Sequence, residues 1–487
     1  MNPLAEALAQ RAQTQPGATA LVWRDASITF AQLAERAARV ARALVARGVA
    51  PGDRVAALLP NAPAVAEVWH AAIACGAILV PVNRRLTARE IAVLLDDAEV
   101  SLLVHGADDL AALAEAACGL LGGRAPARAF AGDTIDWDAA APLPRPTDPD
   151  PVVAIVYTSG TTGRAKGALL GARNFAASTA ASGERLGVRA GDRWLAPLPL
   201  FHVGGLAILA RSVLEGVTAI VHERFDPDAV VTALGGGDVR FASLVPAMLE
   251  RVLRADRPPR FDARRCTVLL GGAAADPALL TRARAAGLVI APTYGLTEAT
   301  SQVATRTPDH AGAGLPPLPG VELRIADEKD RPCEAGVAGE IQVRGANVMR
   351  GYWRREAESG RALANGWLHT GDVGCLDADG GLHVLARRSD LIVSGGENVY
   401  PAEVEAVLLA HPAVREAAVA GVADAAFGAR PAAWLVADAD LDASALRAFC
   451  RERLAGYKVP VAFHRVRELP RNASGKILRD RLGDQSA

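Results

Sequence analysis

The chain has 487 residues, of which 51% are hydrophobic, so it is long enough to bury large cores and to form more than one domain. Lysine and arginine number 53 against 54 aspartates and glutamates, and a formal charge of −1 gives no electrostatic reason to expect a nucleic acid or an anionic membrane as partner. Six widely spaced cysteines, with no secretory signal and no apolar run of about 18 residues, argue against a disulfide framework, a zinc site and a membrane span, and indicate a cytoplasmic protein.

The first part of the chain alternates helical and strand-like segments. Within residues 29–47 apolar side chains recur at helical spacing, and Gly48 follows as a stop signal. The stretch DRVAALLP, residues 53–60, predicts a short buried strand. The alternation then repeats, with a helix predicted at residues 63–74 and a strand at residues 77–80. Repeated units of this kind predict an α/β fold around a largely parallel sheet.

A proline-rich connector, APLPRPTDPDP at residues 141–151, interrupts this pattern. Such a segment cannot run as a helix or pair as a strand. We interpret it as a boundary between an opening subdomain and the rest of the chain.

A loop rich in glycine and hydroxyl residues follows the connector. The apolar run VVAIV, residues 152–156, is typical of a strand buried on both faces, and it leads directly into YTSGTTGRAKG at residues 157–167. In open α/β sheets ligands bind where strands end, and glycines, hydroxyls and a lysine supply donors for an anion. The stretch predicts a polyphosphate-binding loop, with a flexible surface loop as the alternative. It is not a Walker A loop, because two residues separate Gly163 from Lys166.

Four further motifs follow in order along the chain. They are YGLTEAT (294–300), HTGDVG (369–374), RRSDLIVSGGENVYPAEVE (387–405) and PRNASGK (470–476). Together with the loop at residues 157–167, these motifs resemble the adenylate-forming acyl-CoA synthetase superfamily, the AMP-dependent synthetases and ligases. The resemblance implies a two-step reaction in which a carboxylate and ATP give acyl-AMP and pyrophosphate, and a thiol, usually that of coenzyme A, then displaces AMP.

The resemblance also implies an architecture. The expected fold is α/β, with a large N-terminal adenylation domain of two doubly wound sheets plus a small distorted β-barrel, at residues 1–386. A smaller, mobile α+β C-terminal domain carrying the catalytic lysine is expected at residues 387–487.

The phosphate loop is expected to hold the departing β- and γ-phosphates of ATP. Its residues are Thr158, Ser159, Gly160, Thr161, Thr162, Gly163 and Lys166. These donors and Lys166 stabilise the charge that develops as the carboxylate attacks, whereas an acidic residue would repel the phosphates.

Three residues of YGLTEAT are assigned by the resemblance. Tyr294 is expected to stack on adenine, Thr297 to bond the α-phosphate, and Glu298 to bind Mg²⁺, which proteins usually hold with one or two carboxylates plus substrate phosphates. The residues alone also allow a half-buried core aromatic at Tyr294 and a helix-terminal charge at Glu298.

Two other motifs complete the expected nucleotide site. By resemblance, Gly271, Gly272 and Ala273 of the strand-like VLLGGAAA are expected to lie against the adenine and the acyl group, with a simple turn as the alternative. Asp372 of HTGDVG would accept both ribose hydroxyls, although an aspartate between glycines is also a common turn residue. Arg387 would contact the ribose and phosphate.

A catalytic lysine far from the phosphate loop implies motion. By resemblance Lys476 bridges the attacking carboxylate and the α-phosphate. A rotation of the C-terminal domain then withdraws it and brings SGGEN, residues 394–398, to line the thiol channel. Gly395 and Gly396 would leave room for pantetheine. The hinge by position is Ser389, where the family usually has aspartate or lysine, and serine can still absorb a change of φ and ψ.

The acid substrate is indicated by weaker signals. His202 lies in PLPLFHVGGLAIL, where the family has an aromatic or histidine residue at the acyl pocket, and Ser301 and Gln302 are predicted as polar lining; a lone histidine is also often structural. The chain most resembles 2-succinylbenzoate:CoA ligases of menaquinone synthesis. A second carboxylate demands an arginine, a lysine or a hydroxyl cluster in the pocket, which the sequence does not locate.

Several alternatives stay open at this point. Other aryl, short-chain dicarboxylic or medium-chain fatty acids remain possible, since one methylene changes discrimination by only about 1–3 kcal/mol. A stand-alone adenylation enzyme that loads a carrier-protein thiol keeps every residue above. A P-loop ATPase is disfavoured by the failed Walker spacing, and a non-catalytic module by the presence of Glu298 and Lys476. The expected small molecules are a carboxylic acid, ATP, Mg²⁺ and coenzyme A, while the oligomeric state is not readable.

Overall fold

The structure is a computed structural model. It describes residues 2–132, 134–135, 137–144, 148, 150–158, 165–254, 266–272, 277–386, 392–437, 442–470 and 479–483. Within these residues, no helix combines the length and apolarity that crossing a membrane requires.

Strands and helices alternate from the N-terminus to residue 305, as the sequence predicts. The strands are β1 (Thr19–Trp23), β2 (Ala26–Thr29), β3 (Arg54–Leu58), β4 (Ile78–Pro81), β5 (Val100–His105), β6 (Ala127–Phe130), β7 (Val152–Thr158), β8 (Lys166–Gly171), β9 (Arg193–Ala196), β10 (Thr218–Val221), β11 (Phe241–Leu244), β12 (Thr267–Leu270), β13 (Val289–Leu296) and β14 (Ser301–Thr305). The helices are α1 (Pro3–Thr14), α2 (Phe30–Ala46), α3 (Pro63–Cys75), α4 (Ala88–Asp97), α5 (Asp109–Leu121), α6 (Ala172–Leu186), α7 (Val203–Glu215), α8 (Pro227–Gly235), α9 (Pro246–Leu253) and α10 (Pro277–Ala285).

These strands form two mixed sheets. The eight-stranded sheet has the order β14-β13-β12-β11-β9-β10-β1-β2, and the six-stranded sheet has the order β6-β5-β3-β4-β7-β8. Pairing is parallel inside both sheets and antiparallel where β2, β14 and β8 form sheet edges. The predicted α/β class with two doubly wound sheets is confirmed.

The two sheets share a central helical layer. One core cluster joins residues of both sheets to α1, α2, α3, α6 and α7. The outer face of the six-stranded sheet is covered by α4 and α5, and that of the eight-stranded sheet by α8, α9 and α10. Neighbouring strand residues alternate between clusters, as Val55 and Ala56 do in β3, because successive side chains point to opposite faces of a strand.

Local signals set the helix ends. Thr29 caps α2 in a capping box with Gln32, so the helix starts one residue later than predicted and ends at Ala46. Pro63 opens α3 at its first turn, where a missing N–H costs nothing. Both predicted helices are confirmed to within one residue at each end.

The prediction that the proline-rich connector bounds a subdomain is wrong. β3 to β6 precede the connector and β7 and β8 follow it, yet all six lie in one sheet. β4 pairs directly with β7 through Leu79 and Ala154. The connector is therefore a long crossover within one unit, and its prolines prevent pairing without separating domains.

A smaller antiparallel sheet follows. It contains β15 (Glu322–Ala326), β16 (Gly339–Arg344), β17 (Leu368–Leu376) and β18 (Leu382–Ala386), with α11 (Glu356–Ala362) between β16 and β17. This four-stranded sheet lies where the small barrel was expected. We call the described part of residues 2–386 the N-terminal unit.

The remaining described residues, within 392–483, form a second α+β unit, the C-terminal unit. Its strands are β19 (Ile392–Ser394), β20 (Glu397–Val399), β21 (Val414–Asp424), β22 (Gly428–Ala437) and β23 (Phe463–Arg465), and its helices are α12 (Pro401–Leu409) and α13 (Ala443–Arg451). The predicted boundary after residue 386 borders residues 387–391, which lie outside the described part, so it stays a prediction.

A two-residue turn connects β19 and β20. Gly395 and Gly396 have φ values of +58° and +86° there, and Ser394 pairs with Glu397. A tight hairpin turn with two positive φ angles strongly favours glycine at both central positions. We call this feature the diglycine turn; its glycines are required by the backbone, whatever ligand passes beside them.

Candidate active site

A cavity opens at the carboxyl edge of the eight-stranded sheet. Its lining includes residues just after or at the ends of β9, β11, β12 and β13, together with the diglycine turn of the C-terminal unit. Parallel strands bring their carboxyl ends to one edge, which is where open α/β sheets bind ligands. The predicted residues that line it are Thr158, His202, Gly271, Gly272, Thr297, Glu298, Ser301, Gln302, Asp372, Gly395 and Gly396.

The predicted phosphate loop is the connection of a β-hairpin. Thr158 ends β7, Lys166 begins β8, and the two residues are paired across the strands. Ser159, Gly160, Thr161, Thr162 and Gly163 lie outside the described residues. The hairpin lies at an edge of the six-stranded sheet, and Thr158, the last described residue before the predicted loop, is part of the cavity wall.

Lys166 and Glu298 contact the same tyrosine, Tyr352. The ammonium of Lys166 lies 5.3 Å from the centre of the Tyr352 ring, and Tyr352 Oη donates to Glu298 Oε1 at 2.9 Å. Glu298 is only 4% exposed. Lys166, predicted to bind phosphate, and Glu298, predicted to bind Mg²⁺, therefore lie on either side of the same tyrosine side chain. This donor set fits Mg²⁺, since one buried carboxylate beside a polyphosphate site is how proteins commonly hold that ion.

The segment after β13 is held in a strained backbone. Thr300 and Ser301 have φ values of 51° and 90°, which non-glycine residues rarely adopt. Ser178 Oγ donates to the Thr300 carbonyl at 2.6 Å, and Thr300 Oγ1 donates to the Asn347 carbonyl at 2.7 Å. A Cβ at Gly295 would lie 1.8 Å from the Ser301 carbonyl oxygen, so the tight return needs glycine. Packing thus fixes Thr297 and Ser301 at the cavity wall.

Tyr294 and Asp372 are bonded to each other. Tyr294 Oη donates to Asp372 Oδ2 at 2.7 Å, and Tyr294 is 2% exposed. The cavity wall at this point is formed by the neighbours Thr293 and Gly295 and by Asp372 itself. Tyr294 is thus buried and orients the carboxylate predicted to bind ribose, while its stacking on adenine stays a prediction.

A buried polar cluster lies at the wall of the cavity. Arg211 of α7 is 2% exposed and lines the cavity together with Gln302. Arg211 Nη2 donates to Gln302 Oε1 at 2.8 Å and to Ser182 Oγ at 3.0 Å. Ser182 Oγ donates to Gln302 Oε1 at 2.5 Å. The predicted polar residue Gln302 is therefore the acceptor that anchors a buried guanidinium.

The charge of Arg211 is incompletely neutralised. Its guanidinium lies 4.7 Å from the centre of the Trp194 ring, and within the described residues its Nε has no hydrogen-bond partner. Burial lowers the pKa of Arg211 to about 10, an effect that the carboxylate of Glu215 opposes. Such a cation is available to an anionic group entering the cavity.

Glu215 lies one helical turn after Arg211 and packs against α6. A Cβ at Gly183 would lie 1.7 Å from Glu215 Oε1, so this glycine leaves room for the carboxylate. Burial raises the pKa of Glu215 to about 7; the charges of Arg211 and Arg11 lower it, and that of Asp192 raises it further. The carboxyl group therefore changes charge near neutral pH.

His202 lies at the junction of the two units. It caps α7 by position, and its Nε2 is 3.1 Å from Glu397 Oε2, next to the diglycine turn. Arg85 Nη1 donates to Glu397 Oε1 at 3.0 Å, and Asn83 Nδ2 donates to Oε2 at 3.3 Å. Burial raises the pKa of Glu397, but the charges of His202 and Arg85 outweigh it and hold that pKa below its usual value. The buried carboxylate of Glu397 thus joins the diglycine turn of the C-terminal unit to the N-terminal unit beside the cavity.

Other predicted site residues fall outside the described part of the chain. They are Ala273, Arg387, the hinge Ser389 and Lys476, and their roles stay predictions.

Sequence reasoning missed Arg211, Tyr352 and Ser182. Arg211 offered a signal, because it is the one charged residue in the apolar helical stretch VGGLAILARSVL. A charge inside such a stretch is rarely buried without a function or a partner. Tyr352 and Ser182 offered none, since each meets its partner only through the tertiary fold.

Comparison with family models gives two matches. The model of the AMP-binding enzyme matches residues 8–353, and that of the AMP-binding enzyme C-terminal domain matches residues 403–476. The first match includes the phosphate-loop hairpin and the strands that border the cavity. The second includes most of α12, the helix that follows the diglycine turn.

The chain is similar along its whole length to known proteins. It is 41% identical to the 2-succinylbenzoate–CoA ligase of Bacillus licheniformis over 482 residues, which cover 98% of both chains. It resembles, at 37% identity, a double mutant of o-succinylbenzoate CoA synthetase from Bacillus subtilis bound with the product analogue OSB-NCoA, with a TM-score of 0.90 and coverage of 99% and 98%. The same B. subtilis enzyme in complex with the acyl-adenylate intermediate OSB-AMP gives a TM-score of 0.73 at 37% identity and 99% coverage of both chains.

Proposed function

Because the chain belongs to the AMP-binding enzyme family, as its motifs predicted, we propose that it is an ATP-dependent acid:CoA ligase acting on 2-succinylbenzoate in menaquinone synthesis. The observation that carries the choice of acid is Arg211, a buried guanidinium in the wall of the cavity that also contains the proposed ATP residues. ATP, Mg²⁺ and coenzyme A are the other small molecules of the reaction, and its compartment is the cytoplasm.

The first step joins the acid to AMP. A carboxylate oxygen attacks the α-phosphorus, the bond to the bridging oxygen breaks, and pyrophosphate leaves. Thr158 and Lys166 bind the β- and γ-phosphates, and Thr297 bonds the α-phosphate. Glu298 would hold Mg²⁺, which would neutralise phosphate charge. Lys476 bridges the two reacting anions, and such fixed donors act mainly by stabilising the charge that develops in the transition state.

The second step replaces AMP with coenzyme A. The thiol sulfur attacks the acyl carbon, the acyl–phosphate oxygen bond breaks, and AMP departs. Gly395, Gly396 and Asn398 of the C-terminal unit lie in the cavity wall, as expected for the thiol channel. The arrangement is closer to that of the relative bound to a product analogue than to that of the acyl-adenylate complex. Both observations support assigning it to thioester formation.

Arg211 supports an acid with two carboxylates. One carboxylate must reach the α-phosphate, and a second, distal carboxylate would pair with the guanidinium. A buried charged partner discriminates strongly, because an acid that lacks the second carboxylate leaves Arg211 unpaired in the cavity. An aliphatic monocarboxylic acid has no second carboxylate to pair with Arg211.

Thioester formation across a panel of acids tests the proposal. The assay contains ATP, Mg²⁺ and coenzyme A with 2-succinylbenzoate, benzoate, a short dicarboxylic acid or a medium-chain fatty acid. We expect 2-succinylbenzoate to lead in kcat/KM by orders of magnitude. If another acid leads, ligase chemistry stands and the assigned substrate is wrong; if pantetheine on a carrier protein replaces coenzyme A at higher kcat/KM, the thiol acceptor is wrong.

The acid preference should depend on pH through Glu215. Below about pH 7 its carboxyl is neutral and Arg211 is free to pair with the distal carboxylate; above it, ionised Glu215 competes for the guanidinium and repels the substrate. The KM for 2-succinylbenzoate is expected to rise about three- to ten-fold from pH 6 to pH 8. Steady-state kinetics at saturating ATP and coenzyme A measure this change.

Two controls isolate that effect. Glu215→Gln removes the titrating group at nearly the same volume, so its KM for 2-succinylbenzoate should be flat between pH 6 and pH 8. Benzoate lacks the distal carboxylate and reports every other titration in the site. An equal pH dependence of KM for both acids in the unmodified enzyme would contradict the role given to Glu215.

A further inference from the structure

A buried ion cluster joins the two units at a distance from the reacting groups. Lys458 is 4% exposed, and its Nζ donates to Glu403 Oε1 at 2.7 Å and to Glu90 Oε1 at 2.8 Å. Glu403, in α12, and Lys458 both belong to the C-terminal unit, whereas Glu90 belongs to α4 of the N-terminal unit. The lysine therefore binds one carboxylate within its own unit and one across the interface.

Glu90 is held in place before any docking occurs. Its Oε2 accepts from Thr87 N at 2.8 Å and from Thr87 Oγ1 at 2.9 Å, which is the reciprocal half of the α4 capping box. Oε1 is left for Lys458. Because the helix cap fixes the carboxylate on the N-terminal unit, little side-chain entropy is lost when Lys458 arrives.

The cluster is buried, so each charge in it needs a partner. Glu403 Oε2 has no hydrogen-bond partner within the described residues, and burial raises the pKa of Glu403 against the charge of Lys458. Charges removed from water are costly unless well paired. Nearby, Asn83 Nδ2 donates to Tyr457 Oη at 3.3 Å as well as to Glu397. Asn83 of the N-terminal unit thus contacts both the diglycine hairpin and the segment that carries Lys458.

We propose that Glu90 is a positioning residue for thioester formation, because through Lys458 it holds the C-terminal unit with the diglycine turn in the cavity. The inference rests on the proposed two-step function. A contact shifts an equilibrium between orientations only if it differs between them. Glu403 and Lys458 rotate together and can remain paired, whereas Glu90 and Lys458 lie on different units and separate when the C-terminal unit turns.

The test measures the two half-reactions separately in full-length Glu90→Gln. Glutamine keeps the capping acceptor and nearly the same volume, and it removes the negative charge that faces Lys458. We expect thioester formation from supplied 2-succinylbenzoyl-AMP and coenzyme A to slow by about ten-fold or more, the usual worth of a hydrogen bond between charged groups. Acid-dependent exchange of pyrophosphate into ATP should change by less than two-fold, since that step does not use this orientation.

Two further variants separate docking from helix stability. Leu95→Ala removes a buried side chain of α4 that is not part of the ion cluster, and it should lower Tm while leaving the ratio of the half-reaction rates unchanged. Glu90→Gln combined with Lys458→Gln should slow thioester formation no more than Lys458→Gln alone, because residues that act through one contact are not additive.

The outcomes are distinct. If Glu90→Gln slows both half-reactions equally, or if Leu95→Ala reproduces its selective loss, Glu90 acts on α4 stability and the inference is wrong. If Glu90→Gln slows neither, the contact does not govern orientation. If the unmodified enzyme performs neither half-reaction with any acid of the panel, the proposed function fails as well, which distinguishes that failure from the loss of the Glu90 role alone.

Discussion

Arg211→Met should lower kcat/KM for 2-succinylbenzoate by about 100-fold or more, while changing kcat/KM for benzoate by only a few-fold. Methionine fills a similar apolar volume and removes the charge in the cavity wall that the distal carboxylate would need. The loss should lie mainly in KM, because the distal carboxylate is bound alike in the ground state and the transition state. Thioester formation with each acid across a concentration series measures the effect.

Two further measurements distinguish a loss of acid selection from a general loss of stability. Arg211 also donates to Ser182 and Gln302, so the variant's Tm must be compared with that of the unmodified enzyme. Arg211→Lys keeps a charge but loses the planar fork, and it should recover part of the lost kcat/KM for 2-succinylbenzoate. An equal loss of kcat/KM for both acids, without partial recovery in the lysine variant, would show that Arg211 shapes the cavity and does not select the acid.

Much of the site was predictable because its motifs lie where strands end. VVAIV became β7 and leads into the phosphate loop, and the glycines after β12 line the cavity. An unbroken apolar run is a local property of the chain, and so is the switch from such a run to glycine and hydroxyl residues. Since parallel strands of one sheet end at one edge, these local signals place the loops of each sheet together. That Thr158 of the six-stranded sheet and the glycines after β12 of the eight-stranded sheet meet at one cavity depends on how the two sheets pack.

The sheet order was not predictable in the same way. The connector at residues 141–151 reads as a boundary, yet β4 pairs with β7 across it. Proline forbids pairing within the connector and says nothing about which strands its two ends join. Strand partners of a parallel sheet are chosen by packing of distant segments, which a single stretch of sequence does not encode.

Residues whose role depends on a partner distant in sequence were also not predictable from local patterns. Tyr352 reaches Glu298, and Arg211 reaches Gln302, at sequence separations of 54 and 91. Tyr294 shows the converse, because its motif suggests an exposed stacking surface and its surroundings bury it. Gln302 was predicted as polar lining, and only the fold reveals that it presents a guanidinium to the cavity.

Lys476→Ala should stop the first half-reaction and spare the second. A single preorganised donor at a developing anion contributes about 3 kcal/mol, so pyrophosphate exchange with 2-succinylbenzoate should fall by at least about 100-fold. Thioester formation from supplied 2-succinylbenzoyl-AMP should stay within a few-fold, since Gly395, Gly396 and Asn398 of the C-terminal unit line the cavity for that step. The two assays, run on one preparation, measure the split.

Glu397→Gln is the matched variant with the opposite expectation. Its carboxylate meets His202 and Arg85 only while the diglycine turn is docked, so neutralising it should slow thioester formation and leave pyrophosphate exchange nearly unchanged. Opposite losses in the two variants would mean that one cavity serves both reactions by exchanging what the C-terminal unit presents to it. If Lys476→Ala and Glu397→Gln instead slow the same half-reaction, the domain rotation is wrong, because two groups that alternate in one site cannot both limit one step.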